Sequence, residues 1–258
     1  MPNLQANLAF GFIRSKIAAC LHRRPPTTLG INQFQPHQDT RKPMKLREKQ
    51  MLERQNRILD TAERLIRETG STDFSVRRLA AESEVSPATP FNLFGSKEGI
   101  LYSLLLKNLD GFFEKGFSFK KKNKLFHVLE ASETAADIFI EDAVFLRPLY
   151  KVLLGVTHEE HRPAFMKRTF SYWKMAAEAV PGNDCLAGDN INITAYALMA
   201  HFTGLMEMWI NFDMSDEEFK AHVICGTVIT VLSFIKPEDK DTLLAVYEKN
   251  KKKISAEP

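Results

Sequence analysis

The sequence predicts an all-α protein, on three observations. From residue 46 onward apolar residues recur at i, i+4, i+7 and i+8, the spacing of one helix face. Capping signals bracket these stretches, with serine before them and glycine or proline after. No segment shows strand alternation bounded by hairpin dipeptides.

The first helix is expected over 46–69, where Ile58, Leu59, Ala62, Leu65 and Ile66 form the stripe and Gly70 supplies the stop. Ser75 caps a short second helix, 75–82, with Val76, Leu79 and Ala80 turned inward. Ser86 followed by Pro87 reads as an N-cap with proline at the first helical position, opening a third helix over 86–93. Ser96 caps a longer fourth helix that carries Ile100, Leu101, Leu104 and Leu105 on one side. Further helices are expected over about 124–140, 142–156, 159–180, 189–212, 217–235 and 237–253. Ser215 and Glu218 have capping-box spacing before Phe219, and Pro237 follows the run that ends at Ile235.

Composition narrows the class. An apolar share of 44% with 26% charged residues is that of a globular chain and excludes collagen-like, disordered and disulfide-framework proteins. Cys20, Cys185 and Cys225 are odd in number and form no CxxC pair, which fits a reducing compartment, and a cytoplasmic setting is expected. No apolar run reaches the roughly 18 residues that span a membrane. Residues 1–44 show no sustained period and no acid before Asp39, and read as a disordered tail or a mis-assigned start ahead of Met44. The net charge of +3 hides a division: residues 41–107 hold thirteen Lys and Arg against nine acids, residues 108–258 eighteen against twenty-two. A basic head on an acidic body is a prior for a polyanionic partner at the N-terminal end.

The two short helices, with a three-residue turn between them, have the size of a helix-turn-helix over 75–94. If Val85, Phe91 and Phe94 lock the second helix inward, Pro87, Ala88, Thr89 and Asn92 face out, small or polar enough for a major groove. Arg77, Arg78, Lys97 and the basic stretch 41–57 surround them with phosphate-binding charge.

The run Arg57-Ile58-Leu59-Asp60-Thr61-Ala62, then Phe74-Ser75-Val76-Arg77-Arg78-Leu79-Ala80, Val85-Ser86-Pro87-Ala88-Thr89 and Phe94-Gly95-Ser96-Lys97-Glu98-Gly99-Ile100-Leu101, resembles the DNA-binding domain of the TetR family of bacterial transcriptional regulators. The resemblance implies a three-helix DNA-binding domain over 45–110 and a helical ligand-binding and dimerisation domain over 111–258. It implies groove contacts from Thr89 and Asn92, contacts near the start of the second helix from Ser75 and Arg77, and a phosphate clamp at Lys97. Arg78, Pro87, Ala88 and Phe91 complete the expected DNA-binding set. Three residues depart from the family pattern. Glu84 stands where the turn usually has glycine, Pro90 falls near the fourth position of the recognition helix, and Phe91 replaces a common tyrosine.

Beyond residue 110 the resemblance implies architecture only. Helices 189–212 and 217–235 are expected to pair with those of a second copy in a four-helix bundle, with Ala195, Ala197, Ala200, Gly204 and Gly226 allowing close approach. Expected ligand-binding residues are Phe145, Tyr150, Met166, Phe170, Trp173, His201, Met206 and Trp209, drawn from a wider apolar set that includes Phe165 and Met175. The expected partners are thus a double-stranded operator, a small-molecule effector and a second copy of the chain, with no membrane, cofactor or metal. His158-Glu159-Glu160-His161 lacks HExxH spacing, and no Ser/His/Asp grouping or phosphate loop points to an enzyme. The leading expectation is a repressor released from a pseudo-palindromic operator by an apolar ligand, acting at the nucleoid. The alternative, a non-specific DNA-binding protein, shares the basic head but has no need of the acidic body.

Overall fold

A computed structural model describes residues 46–155, 159–179, 189–232 and 234–255. The expected tail 1–44, Cys185 and His158 lie outside the described residues. Among the described residues all regular structure is helical.

Helix α1 (Leu46–Thr69) buries Ile58, Leu59, Ala62, Leu65 and Ile66 and stops at Gly70, whose φ of 62° a side chain would resist. Ser75 caps α2 (Val76–Glu82) by accepting the Arg78 N–H at 3.1 Å; Leu79 and Ala80 are buried and Val76 half-buried. Ser96 caps α4 (Lys97–Gly116) in the same way, taking the Gly99 N–H at 3.0 Å.

Between them, α3 (Thr89–Phe94) begins two residues later than the first helical position, Pro87, that its sequence implies. The Thr89 N–H closes a tight turn onto the Ser86 carbonyl at 2.9 Å, and the Ser86 hydroxyl is engaged with the Thr89 hydroxyl at 2.8 Å rather than with a backbone N–H. Pro90 therefore occupies the second helical position, where an N–H is dispensable, and not the fourth. The shift also re-aims the side chains. Pro90 is the buried residue of α3, Val85 and Phe94 are half-buried, and Phe91, about 100° round the helix from Pro90, is 51% exposed instead of locked inward.

The turn before α3 is built with Glu84 in the left-handed region at φ 53°. Its N–H reaches the Ala81 carbonyl and the Val85 N–H the Ala80 carbonyl, a Schellman closure with glutamate where glycine is favoured. Phe212 closes the helix Asp189–Ile210 the same way at φ 67°. Gly99 is required for another reason: a Cβ there would stand 2.0 Å from the Phe94 carbonyl oxygen, so the end of α3 rests directly on the first turn of α4.

A 3₁₀ turn (Lys124–Phe126) opens the stretch expected as one helix, leading into α5 (His127–Glu141). Then follow α6 (Ala143–Gly155), α7 (Arg162–Glu178), α8 (Asp189–Ile210), α9 (Asp216–Leu232) and α10 (Pro237–Lys251). The capping box before α9 forms: Ser215 accepts the Glu218 N–H at 3.2 Å and the Glu218 carboxylate accepts the Ser215 N–H at 3.0 Å.

One apolar core runs from Ile58 and Leu65 of α1 through Phe112, Phe139 and Trp173 to Trp209 and Phe219. Each such side chain contributes about 1.5–3 kcal/mol on burial, so the helices surrounding it hold together without ion pairs deciding the matter. Helix α7 packs along α8, and α9 lies against α5, α8 and α10. Helix α6 touches both α1 and α8 and carries Pro148 in its interior, where the ring removes one intrahelical hydrogen bond. At the α6–α8–α9 corner the Arg147 guanidinium lies 4.0 Å from the Trp209 ring and 4.1 Å from that of Phe212. Asp216 joins them, 3.2 Å from Arg147 and 2.7 Å from the Trp209 Nε1 donor.

Candidate nucleic-acid interface and the cavity behind it

The outer face of the helix-turn-helix gathers most of the residues expected there. Ser75, Arg77, Arg78, Pro87, Ala88, Phe91 and Asn92 are exposed, while Thr89 and Lys97 are half-buried. Two of these have their polar groups committed. The Thr89 hydroxyl is held by Ser86, and Arg78 donates to Glu82 at 2.6 Å. Glu82 also takes Arg64 at 2.7 Å, and these two guanidinium groups, Arg78 first, hold its carboxyl below the usual range. Arg77 has no ion-pair partner among the described residues and stays available to an anion. Lys97, at the start of α4, rests its ammonium 5.0 Å over the Phe74 ring.

Behind this head, α4 to α8 enclose a cavity of about 270 Å³. Of the expected ligand-binding residues, Tyr150, Met166, Trp173 and Met206 line it, as does Phe165 of the wider set. The others lie elsewhere. Phe145 sits 4.6 Å beneath the Arg67 guanidinium on the side of α1, Phe170 packs on Tyr196 at 4.5 Å, and Trp209 belongs to the Arg147 corner. His201 Nε2 is 3.1 Å from the His222 carbonyl, and burial lowers its pKa. Met175 is 42% exposed. Each of these occupies another surface of the same core, because facing inward on a helix does not say which of several neighbours a side chain meets.

Sequence reasoning missed Phe112, Phe139, Phe202, Tyr172 and Arg162, which complete the wall. The rings meet edge to face, Phe139 and Tyr150 at 4.7 Å, Phe112 and Phe139 at 5.5 Å. Large aromatics on consecutive helices were a usable signal. Arg162 had none, since a basic residue beside Pro163 reads as an ordinary helix start. The Tyr150 hydroxyl is buried with no hydrogen-bond partner among the described residues, and burial pushes its pKa up.

No group of three His, Cys, Asp or Glu among the described residues is arranged to hold a metal, and His161 instead faces the Tyr102 ring at 5.8 Å. No helix of the described residues is long and apolar enough to cross a membrane.

On α8, Ala197, Ala200 and Gly204 are exposed along one stripe beside Ile193 and Tyr196, which are 63% and 58% exposed, while Ala195 is buried within the chain. On α9, Ile229 is 62% exposed and Gly226 receives the His201 ring, whose Nε2 would lie 2.0 Å from any added Cβ.

Residues 58–104 match the family model described as bacterial regulatory proteins, tetR family. Among solved structures the chain is similar to SmeT, the repressor of the Stenotrophomonas maltophilia multidrug efflux pump SmeDEF. Identity is 18% over 71% of this chain and 91% of that one, with a TM-score of 0.51, which shows a shared fold. Comparison with curated proteins finds no match.

Proposed function

With a tetR-family segment at residues 58–104 as the premise, we propose that the chain is a homodimeric transcriptional repressor, displaced from a pseudo-palindromic operator by a small ligand held in the cavity. The observation that carries this reading is the outer face of α2 and α3. It leaves Arg77 without an ion-pair partner among the described residues and presents Pro87, Ala88, Phe91 and Asn92, a surface of groove-compatible size with phosphate-binding charge beside it. Residues 45–110 read DNA in this scheme and residues 111–258 sense and dimerise. The protein works in the cytoplasm, at the nucleoid when bound.

Dimerisation is supported by the apolar, small-residue stripe of α8 and by Ile229 of α9, which stay exposed in one chain even though Tyr196 packs on Phe170. Two-fold symmetry would place two α3 helices one turn of DNA apart, about 34–36 Å. Ligand action is a population shift: a ligand favouring one spacing of the two heads changes operator affinity by its differential affinity for the two states. Helix α6 supports this route. It lines the cavity with Tyr150 and Leu153, and at its start meets α1 through Asp142 and Phe145.

Footprinting of the purified protein on DNA from its own upstream region tests the reading. A protected inverted repeat is expected. Uniform protection at every sequence would instead make the chain a non-specific DNA-binding protein.

A further inference from the structure

Resting on the reading that the cavity takes the effector, we propose that this effector is an anion on an aromatic body, a ring-bearing carboxylate rather than an organic cation. The cavity wall is built for a flat ring. Phe112, Phe139, Phe165, Trp173 and Phe202 present ring edges and faces at several inclinations, so that a planar guest finds edge-to-face and offset contacts at once. The volume of about 270 Å³ suits a guest of one or two fused rings with a short substituent.

The polar groups decide the charge. Among the described residues no Asp or Glu lines the cavity, whereas Arg162 does. A cationic guest would surrender its hydration beside a fixed positive charge with no counter-charge in the wall, and an anionic guest gains one. Arg162, at the first position of α7, is half-buried and has no carboxylate partner among the described residues. One N–H donates to the Leu153 carbonyl at 3.3 Å, and the rest of the guanidinium fork is open to a bidentate acceptor.

A second residue of the wall, Tyr150, carries a donor without an acceptor among the described residues. The buried Tyr150 phenol keeps its proton and gives it to no acceptor among the described residues. Its neighbours do not share that state: the Tyr172 hydroxyl donates to the Ala131 carbonyl at 2.7 Å and the Thr169 hydroxyl to the Phe165 carbonyl at 3.1 Å. The wall thus offers donors from Arg162 and Tyr150 and asks for an acceptor. A carboxylate supplies one to each.

The test uses the full chain and three probes of matched shape: 2-naphthoate, 2-naphthalenemethanol and 2-naphthylmethylammonium. Binding is read by calorimetry and by quenching of Trp173 in a Trp209→Phe background. We expect naphthoate to bind about tenfold more tightly than either companion. Arg162→Gln should erase that margin while leaving the alcohol's affinity in place, and Tyr150→Phe should weaken naphthoate severalfold. Arg162→Lys, which keeps the charge and loses the fork, should retain part of the margin and guards against a folding defect in the glutamine variant. Equal or tighter binding of the ammonium probe, or a margin unmoved by Arg162→Gln, overturns the anion assignment and leaves the cavity as an effector site. Binding of none of the three probes overturns the assignment and the effector cavity together. Operator binding, measured in parallel, stands or falls by itself.

Discussion

Arg67, in the last turn of α1, grips Asp142 at the α5–α6 corner through two hydrogen bonds of 2.5 and 2.8 Å, with its guanidinium laid over the Phe145 ring. Asp142 is the first cause of the raised Arg67 pKa. This contact joins the helix that carries the DNA-reading head to the helix that lines the cavity. Because the pair is largely solvated, Arg67→Ala should cost no more than about 1 kcal/mol of stability. Its expected effect is on communication: operator affinity within threefold of the parent, and a ligand effect on that affinity reduced about fivefold or more. Anisotropy titrations with and without ligand would show it. A variant that responds fully to ligand rules the contact out as a route.

Phe91 offers an exposed ring beside Asn92 on the recognition helix, and an apolar ring in a major groove meets thymine methyl groups. Phe91→Ala should weaken operator binding by about 1–2 kcal/mol without lowering the thermal midpoint, since the ring is not in the core. Replacing thymine by uracil in the operator should weaken the parent and leave the variant indifferent.

Lys97→Ala should weaken binding to all DNA sequences and reduce the salt dependence by about one unit of log–log slope. Loss of the contact with Phe74 adds a small destabilisation. An unchanged slope would remove Lys97 from the phosphate contacts.

Glu84 pays for its left-handed backbone, and its ion pair with Arg57 is long, at 4.0 Å, and exposed. Glu84→Gly should therefore stabilise the chain by about 0.5–1 kcal/mol, the relief of strain exceeding the added freedom of the unfolded glycine. It also removes a negative charge from the turn between α2 and α3, so operator affinity should rise if that turn faces DNA as proposed. A lower melting temperature would contradict the assignment of strain.

The His201 Nε2 lies 3.1 Å from the His222 carbonyl, and burial favours the neutral ring. Burial depresses its pKa, so the unfolded state binds the proton more readily. Its stability contribution is full above about pH 6.5 and declines as the pH falls below that value. The urea midpoint should drop between pH 7 and 5.5, and His201→Gln should flatten the part of that drop due to this residue. Identical pH profiles for parent and variant would count against it.

Much of the fold could be read locally. Ser75, Ser96 and Ser215 cap helices in the structure as their spacing predicts, because a cap involves only the next three residues. Ser86 followed by Pro87 misled for the same reason: the pattern of a cap is present, but the tight turn onto Thr89 competes with it and wins. That displaced start is what rotates Phe91 into solvent. The cavity was legible only in part. Helical periodicity identifies Tyr150 and Trp173 as inward-facing, yet whether the space they face is filled depends on Phe112, Phe139 and Phe202 from three other helices. The lack of a described carboxylate partner at Arg162 is likewise a fact of three dimensions.

Pro148 divides α6 between its two tasks. Phe145 lies before it and Tyr150 and Leu153 after it, and the carbonyl of Val144 loses the N–H it would take from residue 148. An unbroken helix would behave as a rod, passing any displacement at Tyr150 undiminished over the roughly 8 Å to Phe145. A rod with a soft joint would filter: small displacements in the cavity would be absorbed at Pro148, and only larger ones would reach Arg67. Under the proposed ligand action the missing hydrogen bond would set a threshold, letting the protein ignore molecules that enter the cavity without filling it.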